Sequence, residues 1–322
     1  MELPRVSHHF ANQTLAYPES LSKEKVMTMY GFIRRSVQWM ALLFCGLSTT
    51  GCSSNVLVFH PAGPVSRIEE HLIIMSIILV TIVVVPVILL LWYIVRTFRD
   101  TPNNPAPYEP EWSESRVLES IWWGIPIIIV AVLGFFTVKD TFALTRPPEK
   151  VTNPLTILVT SLDWKWMFQY PGQQVATVNY CEIPASRPVQ FVLTSNAPMN
   201  SFWVPELGGQ EYTMPGMAMR LWLQADQPGI YYGHGANFSG KGFAHMQFNV
   251  HAVKQTQFDA WVKHLKRTAP PLTMDGYHGL VRPSVVGQMS FSSYPPTIFR
   301  DMIMQEGGMY MKRDMTILGT AD

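Results

Sequence analysis

The stretch "YYGHGANFSGKGFAHM", Tyr231 to Met246, is rich in glycine and small residues and lies between two strand-like runs, "RLWLQA" and "MQFNVHAV". It has the form of a metal-binding loop and holds two imidazoles, His234 and His245, with the thioether of Met246, yet no cysteine. Soft copper centres need thiolates, so two imidazoles alone do not make an electron-transfer site, and both histidines read as surface or packing residues. Cys181 offers no rescue, because a cysteine within a strand reads as a small buried hydrophobe. The other chemically notable group is Glu119, in "LESIWWGIP" at the head of an apolar run. A carboxylate there could collect protons at a membrane surface. It could equally complement the dipole of a helical first turn, a contribution of ~0.3–1 kcal/mol. The methionines of "YTMPGMAM" and "MIMQEGGMYMKRDM" could bind copper(I), although methionine more often fills irregular contacts.

Such groups need elements to hold them. The formal net charge of +1 over 322 residues excludes a nucleic-acid footprint. Only 15% of residues are charged, against 18 methionines and 10 tryptophans, which points to a membrane protein. Cys45, Cys52 and Cys181 are too few and too scattered for a disulfide framework or a cysteine zinc site.

Residues 1–28 form a polar, featureless leader. From Met29 the run "MYGFIRRSVQWMALLFCGLSTTGC" has Arg34 and Arg35 ahead of an apolar stretch and small residues up to Cys52. Residues 29–51 resemble a bacterial lipoprotein signal, with Cys52 as the lipidated residue. Leu72 to Val95 contains 24 residues without a charge, 18 of them Leu, Ile or Val, enough to cross a hydrocarbon core ~30 Å thick. Residues 52–145 therefore predict a transmembrane hairpin, with spans at about 70–97 and 117–139 interrupted by Pro86 and Pro126. Arginines and lysines flank the spans on both sides, so charge does not orient them; a lipidated Cys52 places the connecting loop in the cytoplasm and all that follows residue 140 outside.

After "TRPPEKVTNP" the period changes. "LTILVTSLDWKWMFQYP", "PVQFVLTSN", "MRLWLQAD" and "HMQFNVHAV" are short apolar or alternating runs bounded by Pro, Gly and Asn, which predicts a Greek-key β-sandwich over 151–253. Trp164 and Trp166, two apart in "DWKW", are expected on one face of a strand as packing residues. "KQTQFDAWVKHLKR" has helical spacing, and 254–322 reads as a helical and irregular extension packed on the domain or on a partner. The fold class is thus an α+β membrane protein: a two-helix hairpin, an external sandwich and a C-terminal helical extension.

This layout resembles subunit II of the haem–copper respiratory oxidases along nearly all of the mature chain, through "LESIWWGIP", "DWKW", "NSFWVPELGGQ" and the 231–246 loop. In the cytochrome c oxidases of that family the loop carries Cys-x-x-x-Cys-x-x-x-His-x-x-Met, with a further His before a "SFWVP"-like segment and a Glu carbonyl, and holds the binuclear CuA centre. Here Asn200 stands at the upstream His, Gly235 and Ser239 at the two Cys, Asn237 at the Glu and Phe243 at the second His; only Met246 remains. The resemblance is therefore to the quinol oxidases of the cytochrome bo type, with a cupredoxin-like domain lacking CuA.

That resemblance implies a non-catalytic subunit of a proton-pumping ubiquinol oxidase in the bacterial plasma membrane, anchored by lipid, with no metal or other cofactor of its own. It implies two haems, one copper and the quinol site in subunit I, with subunits I, III and IV and membrane lipids as partners. It places Glu119 near the mouth of a proton path into subunit I. Cytochrome c docking is not expected, since Met199 to His251 holds only Glu206, Glu211 and Asp226 against Arg220 and Lys241. Two other readings stand beside it: a CuA-bearing cytochrome c oxidase subunit, and a free-standing copper-binding lipoprotein.

Overall fold

The structure, a computed structural model, describes residues 56–102, 104–107, 109–147, 154–305 and 307. The leader, the signal segment, Cys52 and the methionines beyond residue 307 lie outside the described residues.

Two long apolar helices come first, α1 (Pro64–Thr97) and α2 (Arg116–Leu144). They exceed the uncharged runs because their ends are capped in polar sequence. Pro64 occupies the first turn of α1, where its missing N–H costs nothing, and the Ser66 hydroxyl bonds the Gly63 backbone in both directions at 3.1 and 3.0 Å. Ser115 caps α2 by accepting from Leu118 N–H at 3.4 Å. Pro86 and Pro126 are carried inside the helices. The central apolar side chains of both are exposed, as suits helices whose surroundings are lipid or another chain.

The strands form a two-layer sandwich. One sheet has the order β11–β3–β2–β1–β5–β8 and the other β4–β10–β9–β6–β7. The first contains β1 (Leu155–Leu162), β2 (Lys165–Tyr170), β3 (Val175–Val178), β5 (Val189–Ser195), β8 (Met219–Leu223) and β11 (Met289–Phe291). The second contains β4 (Tyr180–Pro184), β6 (Asn200–Trp203), β7 (Glu211–Thr213), β9 (Gly229–Gly235) and β10 (Gln247–Val253). Two parallel pairs, β1 with β5 and β4 with β10, tie together strands distant in sequence. At the centre Phe202 stacks on Phe248 at 4.8 Å and meets Trp166 and Phe191, each at 5.4 Å. Rings in these offset and edge-on arrangements add to the area they bury.

Three C-terminal helices follow: α3 (Gln255–Thr268), α4 (Met274–Val281) and α5 (Ile298–Gln305). Phe258 and Leu265 of α3 enter the main core. Helix α4 and α5 instead cover the outer face of the six-stranded sheet, where Tyr277, Leu280 and Ile298 pack on Leu162, Met167 and Val178. Phe299 and Met302 pack there on Leu158 and Val192. The extension is therefore a second layer over the sandwich. Lys165 fixes it: its side chain is fully buried and its ammonium donates to the carbonyls of Asp163 (2.7 Å), Leu280 (2.8 Å) and Arg282 (3.1 Å).

The tryptophans of "DWKW" are not on one face. Trp164 lies between β1 and β2 in the left-handed region, φ +73°, with its N–H bonded to Leu162 O. The tight turn throws its ring across the 239–242 loop, whereas Trp166 is buried in the core. The expectation failed because the strand ends at Leu162, so alternation does not run through the pair.

Candidate functional site

The site builds from three pieces: the start of β6, the end of β9, and the return loop into β10. Pairing of Phe202 with Gly235 brings β6 against β9. Gly235 N–H donates to Met246 O at 2.8 Å and Ala236 N–H to Ser201 O at 2.9 Å, which closes the loop onto both strands. Asn200, Gly235, Ser239 and Met246, four of the positions singled out in the sequence, meet as a result.

Their side chains bond one another. The fully buried Asn200 donates from Nδ2 to Ser239 Oγ (3.1 Å) and to Met246 Sδ (2.9 Å), and its Oδ1 accepts from Ser201 N–H (2.7 Å). Ser239 Oγ lies 3.3 Å from the same sulfur. The amide of Asn200 fills the centre of the cradle. A Cβ added to Gly235 would sit 2.8 Å from Asn200 Oδ1, so a cysteine at 235 has no room while Asn200 stays. Trp164 lies over the loop, its indole donating to Ser239 O at 3.1 Å. The ring needs glycine beneath it: a Cβ on Gly242 would fall 2.3 Å from the indole, and Gly240 has φ +110°. Periodicity gives no sign of this cover; the glycines on either side of Lys241 are its trace in the sequence.

The other two positions turn elsewhere. Asn237 donates to Met199 O at 3.0 Å, and Phe243 packs edge-on against Phe238 at 5.7 Å. His234 lies between Tyr232 (5.3 Å, nearly parallel) and Trp203 (5.2 Å). Its Nδ1 is buried without a partner and burial pushes its pKa down, so it stays a neutral packing group. Cys181 is buried in the core, where desolvation drives the thiol pKa well up. Among the described residues no cluster of three His, Cys, Asp or Glu side chains could hold a metal. A binuclear copper centre requires bridging thiolates, and a hydroxyl, an amide and one thioether do not fit it. Glu119 is remote in kind, an exposed carboxylate in the first turn of α2.

Residues 171–253 match the family described as cytochrome c oxidase subunit II, periplasmic domain. Beyond that domain, the "Quinol oxidase subunit 2" of Bacillus cereus is 48% identical over 255 residues, covering 79% of this chain and 86% of the relative. This chain belongs to the quinol oxidase subunit 2 family. Members named "Cytochrome bo(3) ubiquinol oxidase subunit 2" agree: that of Pseudomonas aeruginosa is 39% identical, over 82% of this chain and 80% of the relative. That of Pseudomonas putida is 38% identical over 90% of both. The two spans and the sandwich of this family member thus make a membrane protein with an oxidase-type outer domain.

One ionisable residue of the domain gives a stability test. Glu182, half-buried on β4, has its pKa pushed up to about 7 by desolvation. The folded state therefore holds a proton that the unfolded chain releases near pH 4.5, so the stabilisation is complete below that pH and is lost as pH rises towards 7. Glu182→Gln should melt at a higher temperature than the parent above pH 7, with the difference closing near pH 4–5. Equal melting profiles across that range would show that burial of Glu182 carries no such penalty.

Proposed function

We propose that this quinol oxidase subunit carries no CuA and takes no part in electron transfer: electrons pass from quinol within the membrane to subunit I, and this chain holds and caps that subunit. The observation that carries the reading is the Asn200–Ser239–Met246 hydrogen-bond network, which occupies the place where two thiolates and two imidazoles would be needed. The complex then oxidises quinol, reduces oxygen to water and pumps protons, with two haems and one copper in subunit I, and subunits III and IV alongside. Lipid on Cys52 anchors the chain from the outer face of the plasma membrane. Neither a CuA-bearing cytochrome c oxidase subunit nor a lone copper lipoprotein suits a cradle closed by an amide.

The test is copper and substrate together. The purified complex should contain one copper per haem pair, oxidise a short-chain quinol, and fail to oxidise soluble cytochrome c. A second and third copper held by this polypeptide, or ready turnover of cytochrome c without quinol, would overturn the proposal.

Glu119 serves in this reading as a proton collector at the cytoplasmic mouth of a path into subunit I. Its place supports that role: exposed, in the first turn of a spanning helix capped by Ser115. Glu119→Ala should lower oxygen consumption while the complex still assembles with its haems. Unaltered turnover would remove the role and leave Glu119 as a complement to the helix dipole.

A further inference from the structure

The two sheets of the sandwich differ on their outer faces. The six-stranded sheet lies beneath α4 and α5, whereas the outer residues of β9 and β10 in the five-stranded sheet remain partly or fully exposed; Tyr180, beside them on β4, is buried. Strand register arranges those residues in rows. Trp203, His234 and Gln247 form one, Tyr232, Asn249 and Tyr180 the next, and Ile230, His251 and Glu182 the third. Tyr232 stacks on His234, which in turn meets Trp203, and Tyr180 and His251 form a separate pair at 5.9 Å.

A shallow cavity of about 260 Å³ opens on this face, walled by Tyr232, His245, Gln247, Asn249, Asn179 and Gln288. Asn179 holds its rim in shape, accepting from Trp166 N–H at 2.9 Å and donating to Val286 O at 2.8 Å. No carboxylate, ammonium or guanidinium lines the cavity. It therefore offers nothing to pay for desolvating an ion, and an anionic or cationic ligand is a poor match. Amide side chains present donor and acceptor together, as do adjacent hydroxyls on a sugar ring, and a phenol face packs on apolar C–H. The volume falls below the ~300–1,000 Å³ of pockets for drug-sized ligands, which limits an occupant to about a single ring.

We propose that this face is a saccharide-binding site, in which one neutral pyranose ring stacks on Tyr232 and its hydroxyls bond with Gln247, Asn249, Gln288 and His245. The proposal is independent of the electron route, since none of these residues belongs to the Asn200 cradle. A cell-wall glycan and a glycolipid headgroup would present the same ring.

The experiment uses the intact oxidase in phospholipid nanodiscs, because alkyl-glycoside detergents would carry the competing headgroup. Saturation-transfer NMR follows maltose and N-acetylglucosamine disaccharide in one arm, and nanodiscs with and without a galactolipid form the other. Saturable transfer in either arm is expected and identifies the source. Tyr232→Ala should weaken it about tenfold, Tyr232→Phe should retain most of it, and oxygen consumption should be unchanged in both. Asn249→Ala provides a second variant should Tyr232→Ala not fold. No saturable transfer in either arm, affinity indifferent to Tyr232 and Asn249, or another oxidase subunit found seated over the face would overturn the proposal.

Discussion

Gly63→Ala is expected to loosen the first spanning helix from the outer domain and to cost about 3 kcal/mol of stability. Gly63 is extended, with φ −147°, so backbone strain is not the issue; space is. A Cβ there would lie 2.1 Å from the Gln224 carbonyl oxygen and 3.4 Å from that of Leu207, both backbone atoms that cannot rotate away. The chain is threaded at this point between two loops of the sandwich. Ala62 donates to Glu206 O at 2.7 Å and accepts from Asp226 N–H at 2.9 Å, while Arg67 pairs with Asp226. Val65 and Ser66, in the first turn of α1, are buried there. Separating the strands of this seam would break both backbone bonds together. The measurements are the melting temperature of the purified protein and the rate of protease cleavage around residue 62. Unchanged values in both would show that the seam tolerates a side chain and that the spans and the sandwich are not rigidly joined through it.

Lys165→Met should release the C-terminal layer. Methionine keeps the length and the apolar stem but leaves three carbonyls without their donor, two of them, Leu280 and Arg282, in the extension. Each buried acceptor left unpaired costs ~1–3 kcal/mol, so a loss of about 3–5 kcal/mol is expected, tempered by the desolvation that the buried ammonium no longer has to bear. That desolvation is visible in the lysine itself, whose pKa is lowered by burial in spite of the nearby Asp163. Chemical denaturation followed by tryptophan fluorescence, with proteolysis mapped over 270–305, reads the effect. A variant as stable and as protease-resistant as the parent would mean that Tyr277, Leu280 and Phe299 hold the layer by packing alone.

What the chain disclosed unaided were the features governed by local periodicity. An uncharged run from Leu72 to Val95 has one stable fate in a bilayer, because every backbone group must be bonded within the segment. Short alternating runs after residue 154 specify strands for the same local reason, and the amphipathic spacing of 255–268 specifies α3. Comparison of the 231–246 loop with the family pattern likewise exposed the missing thiolates, since ligand chemistry depends on residue type.

Tertiary structure decided what depends on distant partners. Nothing in the spacing tells that Asn200 reaches Ser239 and Met246 across 39 and 46 residues, or that Trp164 leaves its strand to cover Gly240 and Gly242. The lysine of "DWKW" is buried with its ammonium on carbonyls of residues more than a hundred positions away, a contact that no local spacing signals. Side-chain hydrogen bonds and close backbone approaches are set by where the sheets bring chain segments together, and that information resides in long-range pairing rather than in neighbouring letters.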